Sequence, residues 1–185
     1  MTHRIIAIAG HKRSGKSTVA VHLRDRYGFQ VRALADPIKA ACREIFGWTI
    51  EHTDGALKET IDERYGLSPR QAMQHLGTEW GQFGLSGEFP RFAERTERGL
   101  WVRRLLAGIS GDVVVPDVRF LHEAGALGEC GAVIWRICRP DCRGDAHASE
   151  AEVDRIDADA MIENCGTLAD LEARVDELMR QVRQQ

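Results

Sequence analysis

Apolar and polar positions follow two rhythms along this chain. Short unbroken apolar runs read as buried strands, and apolar residues three or four apart read as helix faces. The first run is Ile5-Ile6-Ala7-Ile8-Ala9. A helix is predicted from about Lys16 to Tyr27, with Val19, Ala20 and Leu23 inward and Gly28 as its stop. Phe29 to Leu34 reads as a second strand. Asp36-Pro37 reads as an N-cap with proline in first helical position. The helix it opens carries Ile38, Ala41, Ile45 and Phe46 at core spacing and stops at Gly47. The charged stretch from Trp48 to Gly66 predicts one helix, Ala56 to Tyr65. Ser68-Pro69 caps a further helix with Met73, Leu76, Trp80 and Phe83 on one face.

Gly84 to Pro90 is loop-like, and Arg91 to Ile109 reads as helix with Trp101, Leu105 and Ile109 inward. Asp112 to Asp117 is an apolar β-branched run, the pattern of a buried parallel strand. A helix from Leu121 to Glu129, a strand from Ala132 to Cys138 and a polar loop from Arg139 to His147 follow. Ser149 to Glu152 has the form of a capping box. Ala160 to Ile162 is a last strand, and Thr167 caps a helix with Leu168, Leu171, Val175, Leu178 and Val182 inward. Strands alternating with helices predict an α/β domain with a mainly parallel sheet of five strands. In such sheets ligands sit beyond the carboxyl ends of the strands. Gly10, Asp36, Asp117, Arg139 and Asn164 each follow a strand, so they are expected at one edge.

The chain of 185 residues is read as one domain, 1–185, without repeat or linker. Its hydrophobic share is 43% and its charged share 29%, values of an ordinary globular protein. A net charge of −3 argues against a nucleic-acid polymer as partner. No apolar run reaches membrane-spanning length, and the N-terminus does not read as a signal peptide. Five cysteines without framework spacing lead us to expect free thiols and a cytoplasmic location. Cys138, Cys142 and His147 form an incomplete zinc set. Oligomeric state is not legible, and a homodimer stays open.

The candidate chemistry begins after the first strand. Gly10-His11-Lys12-Arg13-Ser14-Gly15-Lys16-Ser17 reads G-x-x-x-x-G-K-S, between a strand and a helix. That pattern cradles nucleotide phosphates with backbone N–H groups at a helix N-terminus. It assigns ATP binding to Gly10, Lys12, Arg13, Ser14, Gly15, Lys16, Ser17 and the adjoining Thr18. Lys16 is the candidate partner of the β- and γ-phosphates, and Ser17 of Mg²⁺. Asp117, ending an apolar strand, is a candidate for Mg²⁺, for the substrate or for capping the next helix. Arg119 suits a phosphate, and Arg136, Arg139 and Arg143 surround a loop that is either a lid or an ordinary basic loop.

Asp36, Lys39 and Arg70 are candidates for an acceptor pocket. Gln71, Gln74, His75 and Thr78 share a face that is either solvated or substrate-facing. A hydroxyl acceptor needs a base, whereas a phosphate acceptor needs positive charge. Lys12, Arg13, Lys16, Lys39, Arg70, Arg119, Arg139 and Arg143 favour the second case, and Asp36 keeps the first open.

These pieces resemble the phage-type deoxynucleoside monophosphate kinases. The matching stretches are the phosphate loop, Leu34-Ala-Asp-Pro-Ile-Lys39, Ser68-Pro-Arg-Gln-Ala-Met-Gln74, Gly77-Thr-Glu79, Val113-Val-Val-Pro-Asp-Val-Arg-Phe120 with Glu123-Ala124, His147-Ala-Ser-Glu150 and Ile162-Glu-Asn-Cys-Gly166. The resemblance implies a three-layer α/β/α phosphate-loop NTPase fold of the nucleoside monophosphate kinase type. It implies an acceptor-binding helical insertion at about 36–110 and a lid at about 139–150. The implied activity is ATP- and Mg²⁺-dependent phosphorylation of a deoxynucleoside 5′-monophosphate.

By the same resemblance, Asp36, Lys39, Arg70, Gln74, Asp117, Arg119 and Glu150 are acceptor-side residues. Lys16, Arg119, Arg139 and Arg143 act in transfer, and Asn164 and Gly166 edge the adenine site. One departure is Gln82, where the family pattern leads us to expect arginine. The alternatives are a hydroxyl-directed kinase of the dephospho-coenzyme A kinase type and an ATP-binding switch.

Overall fold

The computed structural model describes residues 3–140 and 152–182. It divides into two compact units, residues Met1–Ala33 with Leu106–Gln185, and Leu34–Leu105. No helix among the described residues is long and apolar enough to cross a membrane.

The first unit is built on a parallel sheet, whose strands are β1 (Ile5–Ala9), β2 (Gln30–Val31), β3 (Val113–Val118), β4 (Val133–Cys138) and β5 (Ala160–Glu163). Their order is β2-β3-β1-β4-β5, so the central strand is β1. Every residue of β1 is buried, as the middle of a sheet covered on both faces requires. Ile6, Ile8, Val114, Trp135, Ile137 and Ile162 pack with α1 (Lys16–Tyr27) and the C-terminal helix α9 (Leu168–Val182). The alternate positions Ile5, Ala7, Val113, Val115 and Ile134 are buried towards the other face. Helix α8 (Leu121–Glu129) packs on β1 and β4 and buries Ala124 and Leu127. At the far edge, Asp112 accepts hydrogen bonds from Arg4 N at 2.8 Å and Arg4 Nε at 3.0 Å.

The second unit is helical. It contains α2 (Asp36–Phe46), α3 (Ile50–Thr53), α4 (Pro69–Gln74), a π-helix (His75–Gly84), α5 (Leu85–Glu88), α6 (Pro90–Thr96) and α7 (Leu100–Leu106), which runs one residue past the boundary. Trp48 stacks on Phe46 with centroids 4.3 Å apart, and Tyr65 meets Phe46 edge-on at 5.1 Å. Ser68 opens α4 with a reciprocal box: its hydroxyl accepts from Gln71 N, and Gln71 Oε1 accepts from Ser68 N.

Several expectations are corrected here. The strand expected from Phe29 to Leu34 pairs only at Gln30–Val31. The helix expected over 56–65 is a single 3-10 turn, Ala56–Glu59. Asp62 is the cause: its carboxylate accepts from Trp48 Nε1 and Arg64, and its N–H pairs with Leu67 O. The helix expected over 91–109 breaks at Glu97, whose φ is 49°. Gly84 to Pro90, expected as loop, is largely helical.

The predicted apolar face of 69–84 also fails. In the π-helix Gly77, Thr78, Gly81 and Gln82 are buried while Trp80 and Phe83 are exposed. Its i→i+5 winding shifts each residue around the axis relative to an α-helix, so a 3.6-residue stripe no longer stays on one side. Trp101 is the packing partner: its Nε1 donates to Gly77 O at 2.8 Å, and a Cβ on Gly81 would lie 2.4 Å from its ring. Ile45, expected inward, is 65% exposed, and Cys42 takes its place in the core. Asp36, expected as the N-cap, is the first residue of α2, and Ala35 is the cap residue.

Candidate functional site

The loop after β1 is shaped by two glycines. Gly10 has φ 150°, and a Cβ there would lie 2.6 Å from Ile137 O at the end of β4. Gly15 has φ 110°, and a Cβ there would lie 2.6 Å from Asn164 Nδ2 beyond β5. Only residues without a side chain fit both the torsion and the space. Asn164 holds this wrap from outside: its Nδ2 donates to Ser14 O at 2.9 Å, and its N–H to Cys138 O at 2.8 Å. Lys16 folds back over the loop, and its Nζ donates to Gly10 O and His11 O, each at 2.6 Å. Ser14 is buried behind the loop, and its hydroxyl meets no hydrogen-bond partner among the described residues.

A cavity of about 390 Å³ opens over this loop. Arg13, Gly15, Lys16, Ser17, Thr18, Arg139, Asn164, Gly166, Leu168 and Leu171 line it. The described lining holds three cations and no carboxylate. It also contains the N-terminus of α1, whose first turn has no acidic residue. That combination suits a polyphosphate. The Ser17 hydroxyl and Asn164 amide are polar, while Leu168 and Leu171 give an apolar wall suited to a ring. Leu168, expected inward, is an exposed cavity residue instead, because its neighbour Leu171 takes the buried position.

Asp117 and Arg119 lie outside that lining. Asp117 belongs to β3 and does not follow it. Ala7 pairs with Val115 but Ala9 with Val118, so β3 carries an extra residue at Pro116-Asp117. Such a bulge re-aims a side chain at a strand end, and it tolerates the proline. Beyond it, Glu123 is 5% exposed, and its Oε2 accepts from Arg119 N at 2.9 Å and Phe120 N at 3.1 Å. Burial pushes the Glu123 carboxyl up to about 7; the two N–H bonds oppose this and Asp117 adds to it.

In the Leu34–Leu105 unit, the candidate cations rest on carboxylates. Lys39 Nζ meets Asp54 Oδ1 at 2.5 Å, and Arg70 Nε meets Glu59 Oε1 at 2.5 Å. Arg43 donates to Thr53 Oγ1 at 2.9 Å and stands 3.7 Å from Asp54. Burial raises the Asp54 carboxyl, but hydrogen bonds from Lys39 and Thr53 outweigh it and hold it below the usual range. Asp36 is exposed, and Gln74 is half-buried at the end of α4. Gln82 is 2% exposed and accepts from Arg98 Nη2 at 3.2 Å, while the Arg98 guanidinium lies 4.5 Å from the Phe83 ring centroid.

The model of the deoxynucleotide monophosphate kinase family matches residues 4–63 and 49–175. The chain belongs to this family. A relative from Acanthamoeba polyphaga mimivirus, named "Putative deoxynucleotide monophosphate kinase", is 34% identical over 92% of this chain and 93% of its own length. Among solved structures, TT1252 from Thermus thermophilus is similar with 23% identity and a TM-score of 0.51, covering 98% of both chains. That likeness and the sheet order agree on the phosphate-loop NTPase fold, and the protein is a kinase of deoxynucleotide monophosphates.

Within this kinase, the first unit brings Arg13, Gly15, Lys16, Ser17, Thr18, Arg139, Asn164 and Gly166 around one cavity. Gly10 and Ser14 lie behind it, and Lys12 is half-buried in the loop. Arg143, Glu150, Cys142 and His147 lie outside the described residues, as does 141–150 of the expected lid. The four described cysteines are free thiols. The sequence reading missed the carboxylates Asp54 and Glu59, which belong to no spacing pattern; their partners come from folding. Glu152 reads in the sequence as the last residue of a capping box, but its carboxylate accepts from the distant Leu121 N, and a 3-10 turn, Val153–Arg155, follows it. Glu123, three residues past Phe120, carries the local spacing of a helix-capping carboxylate.

Proposed function

We propose that this kinase transfers the γ-phosphoryl group of ATP to the 5′-phosphate of a deoxynucleoside monophosphate, giving ADP and the deoxynucleoside diphosphate. The observation that supports this reading best is the cavity over the phosphate loop, with Arg13, Lys16, Ser17 and Arg139 in its lining. A phosphate oxygen of the acceptor attacks the γ-phosphorus, and the bond from that phosphorus to the β,γ-bridging oxygen breaks. The acceptor is already an anion, so the protein supplies positive charge and alignment, not a base.

Lys16 exchanges two loop carbonyls for the β- and γ-phosphates. Arg13, Thr18 and the loop N–H groups hold the remaining oxygens, and Asn164, Gly166 and Leu168 border the adenine. Mg²⁺, when bound, would offset the charge of the phosphates. The Ser17 hydroxyl would hold that cation, and Asp117 would serve either it or the acceptor. Arg119, Arg139 and Arg143 offset charge in transfer. The Leu34–Leu105 unit takes the acceptor through Asp36, Lys39, Arg70 and Gln74.

The test offers purified protein with ATP and Mg²⁺ a panel of deoxy- and ribonucleoside monophosphates and dephospho-coenzyme A. ADP formation with deoxynucleoside monophosphates is expected. ADP formation without any acceptor, or only with dephospho-coenzyme A, overturns the reading.

A further inference from the structure

Three successive main-chain N–H groups leave the end of β3, at Arg119, Phe120 and Leu121, and all three end on carboxylates. Glu123 Oε2 takes the first two, at 2.9 and 3.1 Å. Glu152 Oε2 takes the third, Leu121 N, at 2.8 Å. Glu123 is a local helix cap, which by itself says little. Glu152 lies 31 residues beyond Leu121 along the chain.

Glu152 opens a short segment fastened at several points. Val153 and Ile156 are buried in the unit, 1% and 2% exposed. Asp154 Oδ1 lies 3.1 Å from His11 Nε2, in the phosphate loop. The Asp154 carbonyl accepts from Arg136 Nη1 on β4. One segment of five residues therefore touches the phosphate loop through Asp154 and the β3–α8 turn through Glu152.

We propose that Glu152 is a positioning residue for phosphoryl transfer, tying the end of β3 with Asp117 and the turn with Arg119 to the segment that also holds His11. The proposal rests on the phosphoryl-transfer reading above. Uncapped, successive N–H groups at a helix start attract an anion of their own and leave the turn free to shift. With carboxylates on all three, the turn is fixed on two sides, once by its own helix and once from a distant segment. The step needs such fixing, because small misplacements of charge-bearing groups cost large factors in rate.

The test uses the full chain and two readouts, amide hydrogen exchange at residues 119–121 and steady-state kinetics with ATP and a deoxynucleoside monophosphate. Glu152→Ala is expected to speed exchange at Leu121 while Arg119 and Phe120 stay protected by Glu123. It is expected to lower kcat about tenfold with the KM for ATP within about twofold. Glu152→Gln keeps an acceptor oxygen, so Leu121 protection and most of kcat should return. If Glu152→Ala does not fold, Glu152→Ser, too short to reach Leu121 N, gives the same reading.

Faster Leu121 exchange with kcat unchanged overturns the proposal, because the bond is then only structural. So does Glu152→Gln that protects Leu121 but stays slow. Wild-type protein inert with every acceptor overturns the phosphoryl-transfer reading itself, and is told apart because no variant is needed to see it.

Discussion

The two units hold their charged groups in opposite ways. In the phosphate-loop unit the geometry is made by main chain: two glycines wrapped against strand ends, and Lys16 lying on loop carbonyls. In the Leu34–Leu105 unit the candidate cations Lys39 and Arg70 are held by the carboxylates of Asp54 and Glu59. A phosphate entering the first displaces neutral carbonyls. A phosphate entering the second competes with carboxylates, which bind guanidinium and ammonium groups well. The first unit is shaped ahead of its ligand, whereas the second, under the proposed phosphoryl-transfer reading, exchanges partners to take one.

The sharpest way to break this contrast is Lys16→Ala. Loss of about 10³-fold in kcat is expected, with thermal melting unchanged; retained turnover would place the phosphates elsewhere. Next comes Lys39→Met, expected to cost about 10- to 100-fold in kcat/KM for the acceptor while the KM for ATP holds. A change confined to ATP would merge the two roles. Gly81→Ala sets a side chain against the Trp101 indole, and about 1–3 kcal/mol of stability should go, read by denaturant unfolding.

Asp54→Asn sharpens the contrast from the other side. Releasing Lys39 from its carboxylate should lower the acceptor KM by about two- to fivefold; a higher KM would mean that Asp54 orients Lys39 for the acceptor. The smallest effect is in acid. Hydrogen bonds from Arg64, then Trp48, hold the Asp62 carboxyl well below the usual carboxylate range. A lowered folded value means that this stabilisation is present above about pH 4 and is lost as pH falls further. Trp48 fluorescence in acid should therefore change at higher pH in Asp62→Asn than in the wild type.

Legibility in the sequence tracks the same division. Bounds for α1 and α8 were readable to the residue, because caps, glycines and apolar spacing act within a few positions. The Lys16–Ser17 pair was readable because its spacing is the geometry. Over 48–66 the pattern misled, since Asp62 spends its N–H and carboxylate on turn partners that a helix would need free. Over 75–84 it misled again, since the period itself changed. Gln82 read as a departure and proved to be a buried partner of Arg98, a pairing across 16 positions that no local rule registers.

By itself the sequence determined the class of the sheet, the phosphate loop with its Lys16 and Ser17, and the family. Those depend on short-range spacing, on which backbone torsions glycine permits and on which residues β-strands bury. Only the tertiary structure decided that Asn164 braces the loop, that a bulge carries Asp117, and that Glu123 and Glu152 share three neighbouring N–H groups. Each of those joins residues distant along the chain or depends on strand register. The physical reason is that a carboxylate goes wherever an unpaired N–H or cation would otherwise be left, and only folding creates those places.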